Sequence, residues 1–216
     1  MTDPKTRARG ARIVRRLAEA YPDAKCALEF SSPLELLIAT ILAAQCTDER
    51  VNQVARTLFR KYPDAAAYAR ADLAQLEEDV RPTGFFRNKA KAVQGTGKAL
   101  VERHGGQVPD RMEALVELPG AARKTANLVL AAAFGRAEGI VVDTHVGRIS
   151  QRLELTSETD AAKIERDLMD LLPREEWIRF VWRMMDHGRQ VCVAKSPRCD
   201  GCPLRPDCPY PDRAGA

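Results

Sequence analysis

The sequence predicts an all-α fold, and three observations carry that expectation. Apolar residues recur at three- and four-residue spacing in segment after segment. Pro, Gly and Asp clusters separate those segments. The one run suited to a strand, Ile140-Val141-Val142, is three residues long and does not make a sheet. A chain of 216 residues, 45% hydrophobic and 30% charged, has globular composition. At this length it buries roughly 70% of its unfolded surface, so a core forms without disulfide staples. The longest largely apolar run, Leu36 to Ala44, is far short of the ~20 residues a membrane helix requires.

The first helix is marked by Ile13, Val14, Leu17 and Tyr21 inside an Arg-rich start. Residues 1–20 hold six basic groups against Asp3 and Glu19, a local +4 equal to the net charge of the whole chain. That stripe argues for a folded segment rather than a transit peptide, and no apolar run suits secretion. A basic helix is more often a solvated face than a nucleic-acid contact. Next, Ser32-Pro33-Leu34-Glu35 reads as a helix start with a capping box, and Leu34, Leu36, Leu37, Ile38, Ile41 and Leu42 cover nearly every side, as in a buried central helix. After Thr47, Val51, Val54, Ala55, Leu58 and Phe59 form one amphipathic face that stops at Tyr62-Pro63.

Further helices are expected from Asp72 to Val80 and from Asn88 to His104, the latter ended by Gly105-Gly106. Asp110 with Glu113 is expected to cap another that runs to Leu118. Arg123 to Phe134 continues as a helix, closed by Gly135, and later helices start near Asp143, Asp160 and Glu175. The last dozen residues, rich in Pro and Asp, read as a frayed tail. No internal repeat or low-complexity segment is present.

Four of the six cysteines, Cys192, Cys199, Cys202 and Cys208, fall within 17 residues in the spacing C-x6-C-x2-C-x5-C. Thiolates gathered by a loop bearing Pro197, Gly201, Pro203 and Pro206 suit zinc or an iron-sulfur cluster. Nothing indicates export, which argues against disulfides. A single C-x2-C pair favours iron-sulfur over zinc, although spacing alone does not choose. Cys26 and Cys46 are expected as buried thiols.

Leu118-Pro119-Gly120-Ala121-Ala122 joins two helices by a turn short enough to force a hairpin. Amides at the start of the second helix then face outward beside its positive dipole, a site for an anion such as a DNA phosphate. Alone, a Pro-Gly between helices is usually only a turn.

The segment LPGAARKTANLVLAAAFG, followed by VVDTH and the four-cysteine loop, resembles bacterial endonuclease III. Ala43-Ala44-Gln45 before Thr47-Asp48, and Gly84-Phe85-Phe86 before Asn88-Lys89-Ala90, come in the family's order, so the resemblance covers nearly the whole chain. It implies two helical domains. Residues 27–136 would form a central domain with the helix-hairpin-helix, while 1–26 and 137–216 would form a discontinuous domain whose Cys192, Cys199, Cys202 and Cys208 hold a 4Fe-4S cluster. The groove between domains would bind damaged double-stranded DNA. The resemblance further implies a monomer with no membrane contact, working in the cytoplasm at the nucleoid.

By the same resemblance Lys124 is the nucleophile that forms a Schiff base. Lysine in a helix's first turn sits beside positive dipole charge, a poor place for stability, which gives independent reason to look for a chemical role. Asp143 would stabilise the positive charge that develops at the sugar, besides capping a helix. Gln45 and Phe85 would fill or wedge the stack left by a flipped base. Gly120, Ala122 and Lys89, with Thr144, His145 and Arg148, would contact DNA. Two features depart from the family pattern. Ala122 replaces the usual second hairpin glycine, which costs about 1–2 kcal/mol if the backbone there is left-handed. The segment between Lys124 and Asp143 is one residue longer, an insertion placed near Arg136 to Gly139. The implied activity is that of a bifunctional DNA glycosylase and abasic-site lyase acting on oxidised pyrimidines. Its alternatives are a pyrimidine-dimer or mismatch-specific glycosylase, or a non-catalytic iron-sulfur DNA-binding protein.

Overall fold

A computed structural model describes residues 4–211. Among them are eleven α-helices, three short 3-10 turns and no strand. Ile140 and Val141 are buried in a connection without regular secondary structure instead. The chain divides into two compact units, Cys26–Glu138 and the pair Met1–Lys25 with Gly139–Ala216. Among the described residues no helix is long and apolar enough to cross a membrane.

Helix α1 (Pro4–Ala20) buries Ile13 and Leu17. Four of its arginines are tied to the protein, while Arg15 stays on the solvated face near Glu19. Arg12 and Arg16 donate to the two carboxylate oxygens of Asp207 at 2.7 and 3.0 Å, Arg9 donates to the Glu154 carbonyl, and Arg7 to that of Asp170. Burial alone would raise the Asp207 carboxyl, and the two guanidiniums hold it below its usual value. Residues 205–211 are therefore docked, not frayed, with the Tyr210 ring 4.5 Å from the Arg152 guanidinium; residues 212–216 lie outside the described residues.

In the continuous unit, α2 (Pro33–Leu42) is capped by Ser32, whose hydroxyl accepts from the Glu35 amide. The Glu35 carboxylate returns to Ser31, one residue before the expected capping-box partner. Leu36, Leu37, Ile38 and Leu42 are fully buried, as a central helix requires. Helix α3 (Asp48–Lys61) starts at the Thr47 cap. Helix α4 (Ala65–Arg70), capped by Asp64, was not expected, because six alanine-rich residues carry no apolar period. It packs close to the helix that carries Gly97, where a Cβ would lie 2.8 Å from the Ala65 carbonyl oxygen. Helix α5 (Leu73–Val80) follows the Asp72 cap, and a 3-10 turn over Arg81–Thr83 leads to α6 (Phe86–His104), which begins two residues earlier than expected.

Helix α7 (Met112–Val116) begins after Arg111 and stops short of Leu118. Asp110 is not its cap; its carboxylate and carbonyl hold Arg136. Helix α8 (Arg123–Phe134) packs on α2 and α7 and buries Ala126, Val129 and Leu130. In the other unit α9 (Thr144–Arg152) and α10 (Ala161–Leu171) start at the Asp143 and Asp160 caps, and α11 (Trp177–Gln190) follows a 3-10 turn over Arg174–Glu176. Phe180, Met184, Ile149 and Leu168 supply the buried interior of that unit.

Candidate active site and cysteine pocket

The hairpin between α7 and α8 is built around one left-handed residue. Gly120 has φ +77°, and a Cβ there would come to 3.0 Å from the Ala92 Cβ, so the left-handed backbone favours glycine and the space is tight for anything larger. Helix α6 pins the turn, because the Thr96 hydroxyl donates to the Pro119 carbonyl at 2.6 Å and the Pro119 ring packs over Gly95. Thr96 was missed by sequence reasoning. Its signal was Gly95-Thr96-Gly97, two glycines inside a helix where they cost stability unless something approaches closely.

Ala122 sits at φ −65°, ψ 168°, an extended conformation any residue adopts, so the expected strain of alanine in place of glycine does not arise. Its side chain offers no acceptor, and α8 begins without a side-chain cap. Lys124, second residue of α8, is exposed at that end. The hairpin therefore presents a primary amine beside the positive end of a helix dipole, a combination that attracts an anionic substrate and supplies a nucleophile.

Two other exposed residues of this unit, Gln45 and Phe85, have positive φ values of 53° and 48°. Such a backbone is uncommon outside glycine. Phe85 is 64% exposed and is not a core residue, whereas its neighbour Phe86 lies under the Arg81 and Arg87 guanidiniums. Lys89 corrects the sequence reading. It is 5% exposed, and its ammonium donates to the Leu42 and Thr83 carbonyls, both at 2.7 Å, so it faces inward and does not meet a phosphate. Lys91 stays exposed.

In the other unit Asp143 caps α9, its Oδ1 accepting from the His145 and Val146 amides at 2.9 and 2.7 Å. Thr144 is exposed and His145 half-buried. Burial lowers the His145 ring below its usual value despite the neighbouring Asp143, so it is neutral at neutral pH. Its ring packs against Gly188, where a Cβ would fall 2.5 Å from Nδ1. Arg148, expected in a DNA contact, spends its donors on the protein instead: on the Cys192 carbonyl at 2.9 Å, on Gly188 and on Thr144. It ties α9 to the cysteine loop.

Cys192, Cys199, Cys202 and Cys208 all line one cavity of about 370 Å³, counting its open mouth. Among the described residues no three His, Cys, Asp or Glu side chains converge as they would on a single metal ion. Burial pushes the Cys202 and Cys208 thiols up, as expected where a cation is needed to hold them as thiolates. A guanidinium N–H and an imidazole nitrogen face the sulfurs. Arg152 donates to the Cys192 Sγ at 3.2 Å, and His187 Nε2 lies 3.7 Å from the Cys202 Sγ. Tyr21, whose hydroxyl is 2.9 Å from His187 Nδ1, is itself pushed up to about 12 by burial and so stays protonated. If that hydroxyl donates to Nδ1, the neutral imidazole carries its proton on Nε2, toward sulfur. Burial pushes His187 down to about 4, which keeps that ring neutral. Arg152 and His187 lay outside the sequence reading, since only folding brings them to the loop. Cys26 and Cys46 are partly exposed, not buried.

A family model described as HhH-GPD superfamily base excision DNA repair protein matches residues 38–174. The chain is also 54% identical over 201 residues to endonuclease III of Synechocystis sp., covering 93% of this chain and 92% of that protein. The chain belongs to the endonuclease III family. It is 35% identical to endonuclease III of Escherichia coli K12, covering 96% of this chain and 98% of that protein. A solved structure of a trapped endonuclease III–DNA covalent intermediate superposes with a TM-score of 0.93 at 39% identity, covering all of both chains. A non-covalent endonuclease III–DNA complex superposes with a TM-score of 0.92 at the same identity, covering 100% of this chain and 99% of that one. Endonuclease III membership places the chain in base excision DNA repair.

Proposed function

We propose that this chain excises oxidised pyrimidines from double-stranded DNA and cuts the strand 3′ to the abasic site. Family membership supplies the activity class, DNA glycosylase and abasic-site lyase. The observation that carries the assignment is the exposed Lys124 at the second position of a helix without a side-chain cap. The neighbour trapped as a covalent intermediate with DNA supports a covalent step. The flipped nucleotide is attacked at its sugar carbon by the Lys124 amine, the base departs, and ring opening leaves an imine. Loss of the 2′ proton then expels the 3′ phosphate. Asp143 holds negative charge for the cation that develops as the base leaves.

Gln45 and Phe85 enter the space vacated by the flipped base; their exposure and left-handed backbones support that role. Gly120 and the amides after Ala122 face phosphate, with Thr144 and His145 beside the DNA. Lys89 and Arg148 have no part in that contact. The chain acts as a monomer on nucleoid DNA in the cytoplasm. Borohydride added to the protein on a duplex with one abasic site is expected to yield a covalent complex stable to denaturing gel; a non-catalytic binding protein gives none.

Cys192, Cys199, Cys202 and Cys208 would hold a 4Fe-4S cluster. Four thiols spread around one cavity, one accepting an Arg152 N–H and another beside the His187 ring nitrogen, support a polynuclear thiolate group. The four cysteines would hold it, and that attachment would cross-link the loop. Protein purified without added metal is expected to be yellow-brown with broad absorption near ~400 nm. A colourless protein with stoichiometric zinc contradicts the assignment.

A further inference from the structure

We propose that Lys89 is a positioning residue, whose buried ammonium ties the segment carrying Gln45 to the segment carrying Phe85 and so sets the two side chains that enter the DNA stack. The inference rests on the roles given to Gln45 and Phe85 above.

Lysine is almost never fully buried without partners. Here the partners are two main-chain carbonyls from segments far apart in sequence. Leu42 is the last residue of α2, three residues before Gln45, and Thr83 ends the 3-10 turn two residues before Phe85. Carbonyls at a helix end lack intrahelical partners and carry the negative pole of the dipole, so an ammonium satisfies the Leu42 carbonyl with charge assistance. Burial works against the charged form of Lys89, with the nearby Cys46 acting in its favour. A protein that needed only packing here would place an apolar side chain of similar length. What the ammonium adds is a shared anchor for two turns that each hold a non-glycine residue in a left-handed backbone, and an exposed side chain at such a turn has no packing of its own to fix it.

The fold has other support in this region. Ala90, Val93 and Leu100 of α6 are buried in their own right, and the hairpin turn is held by Thr96. Loss of the ammonium therefore releases the two turns before it releases the helices. Its effect falls on steps that require a wedge in duplex DNA, and spares β-elimination at an abasic site in a single strand, where no stack is opened.

The test compares Lys89→Met with the parent, as full-length protein, on a lesion in duplex and on a single-stranded abasic oligonucleotide. The ratio of the two rates on one preparation does not depend on how much of the variant is folded. That ratio is expected to fall by roughly a hundredfold, the penalty of misplacing groups by about an ångström. The fluorescence change of a 2-aminopurine placed opposite the lesion is expected to vanish. Phe85→Ala is expected to lower the ratio in the parent and to add little in the Lys89→Met background, since coupled residues are not additive. An unchanged ratio, or fully additive effects with Phe85→Ala retaining its own loss, overturns the tie and leaves the wedge reading intact. A Phe85→Ala protein with no duplex-specific loss overturns the wedge reading, and this inference with it.

Discussion

Lys124→Gln is expected to abolish both the borohydride-trapped adduct and strand cleavage at abasic sites while the protein still binds abasic duplex. The amide of glutamine cannot form an imine, so no slower version of the same step remains. Lys124 is exposed, and substitutions at exposed positions usually change stability by no more than about 0.5 kcal/mol. The variant's melting curve should therefore overlie that of the parent. The amides at the start of α8 and the Gly120 turn are main-chain features that the substitution leaves in place, so binding loses one charge and keeps its geometry. Gel-shift titration together with trapping separates the two effects. A variant that binds and still traps in normal yield contradicts the assignment.

Asp143→Asn is expected to slow base excision by roughly 10²–10³-fold, the usual cost of removing one electrostatic contributor to a developing charge. The structure makes this substitution more informative than truncation. Asp143 Oδ1 caps α9 by accepting from two amides, and asparagine retains an acceptor oxygen and caps as well as aspartate. Helix α9 and the Arg148 tie to the Cys192 carbonyl are thus preserved. Asp143→Ala removes the cap as well and should cost about 1 kcal/mol of stability in addition. Single-turnover excision read beside the melting curve distinguishes charge from cap. Trapping on preformed abasic DNA should persist in Asp143→Asn, because no glycosidic bond then needs breaking. Excision at the parent's rate contradicts the role given to the carboxylate.

Much of the fold was legible because its signals are local. Helix α2 is announced by Ser32-Pro33, α8 by its unbroken periodicity up to Gly135, and α9 and α10 by an aspartate cap. Helix α4 escaped because six residues with one buried aromatic show no period, and α7 was misplaced because Asp110 looks like a cap until Arg136 is seen to hold it. The site residues divide in the same way. Lys124 and Asp143 were singled out by the family resemblance; their places at helix starts agree with it and would not have chosen them alone. Lys89 and Arg148 could not be read correctly, since sequence shows their charge and hides their burial and their carbonyl partners. The docked C-terminal segment was invisible for a stronger reason. Asp207 meets Arg12 and Arg16 across 195 and 191 residues, a pairing no local pattern encodes.

The most direct test of the central claim is to locate the reduced adduct on the chain. Protein trapped by borohydride on abasic DNA is digested with nuclease and trypsin, and the peptide bearing the deoxyribose remnant is sequenced by mass spectrometry. A modified Lys124 resists trypsin, so the remnant should appear on the peptide spanning 124–136 with cleavage after Arg123 and none after Lys124. A remnant on any other lysine, with 125–136 recovered as in the untreated protein, contradicts the account.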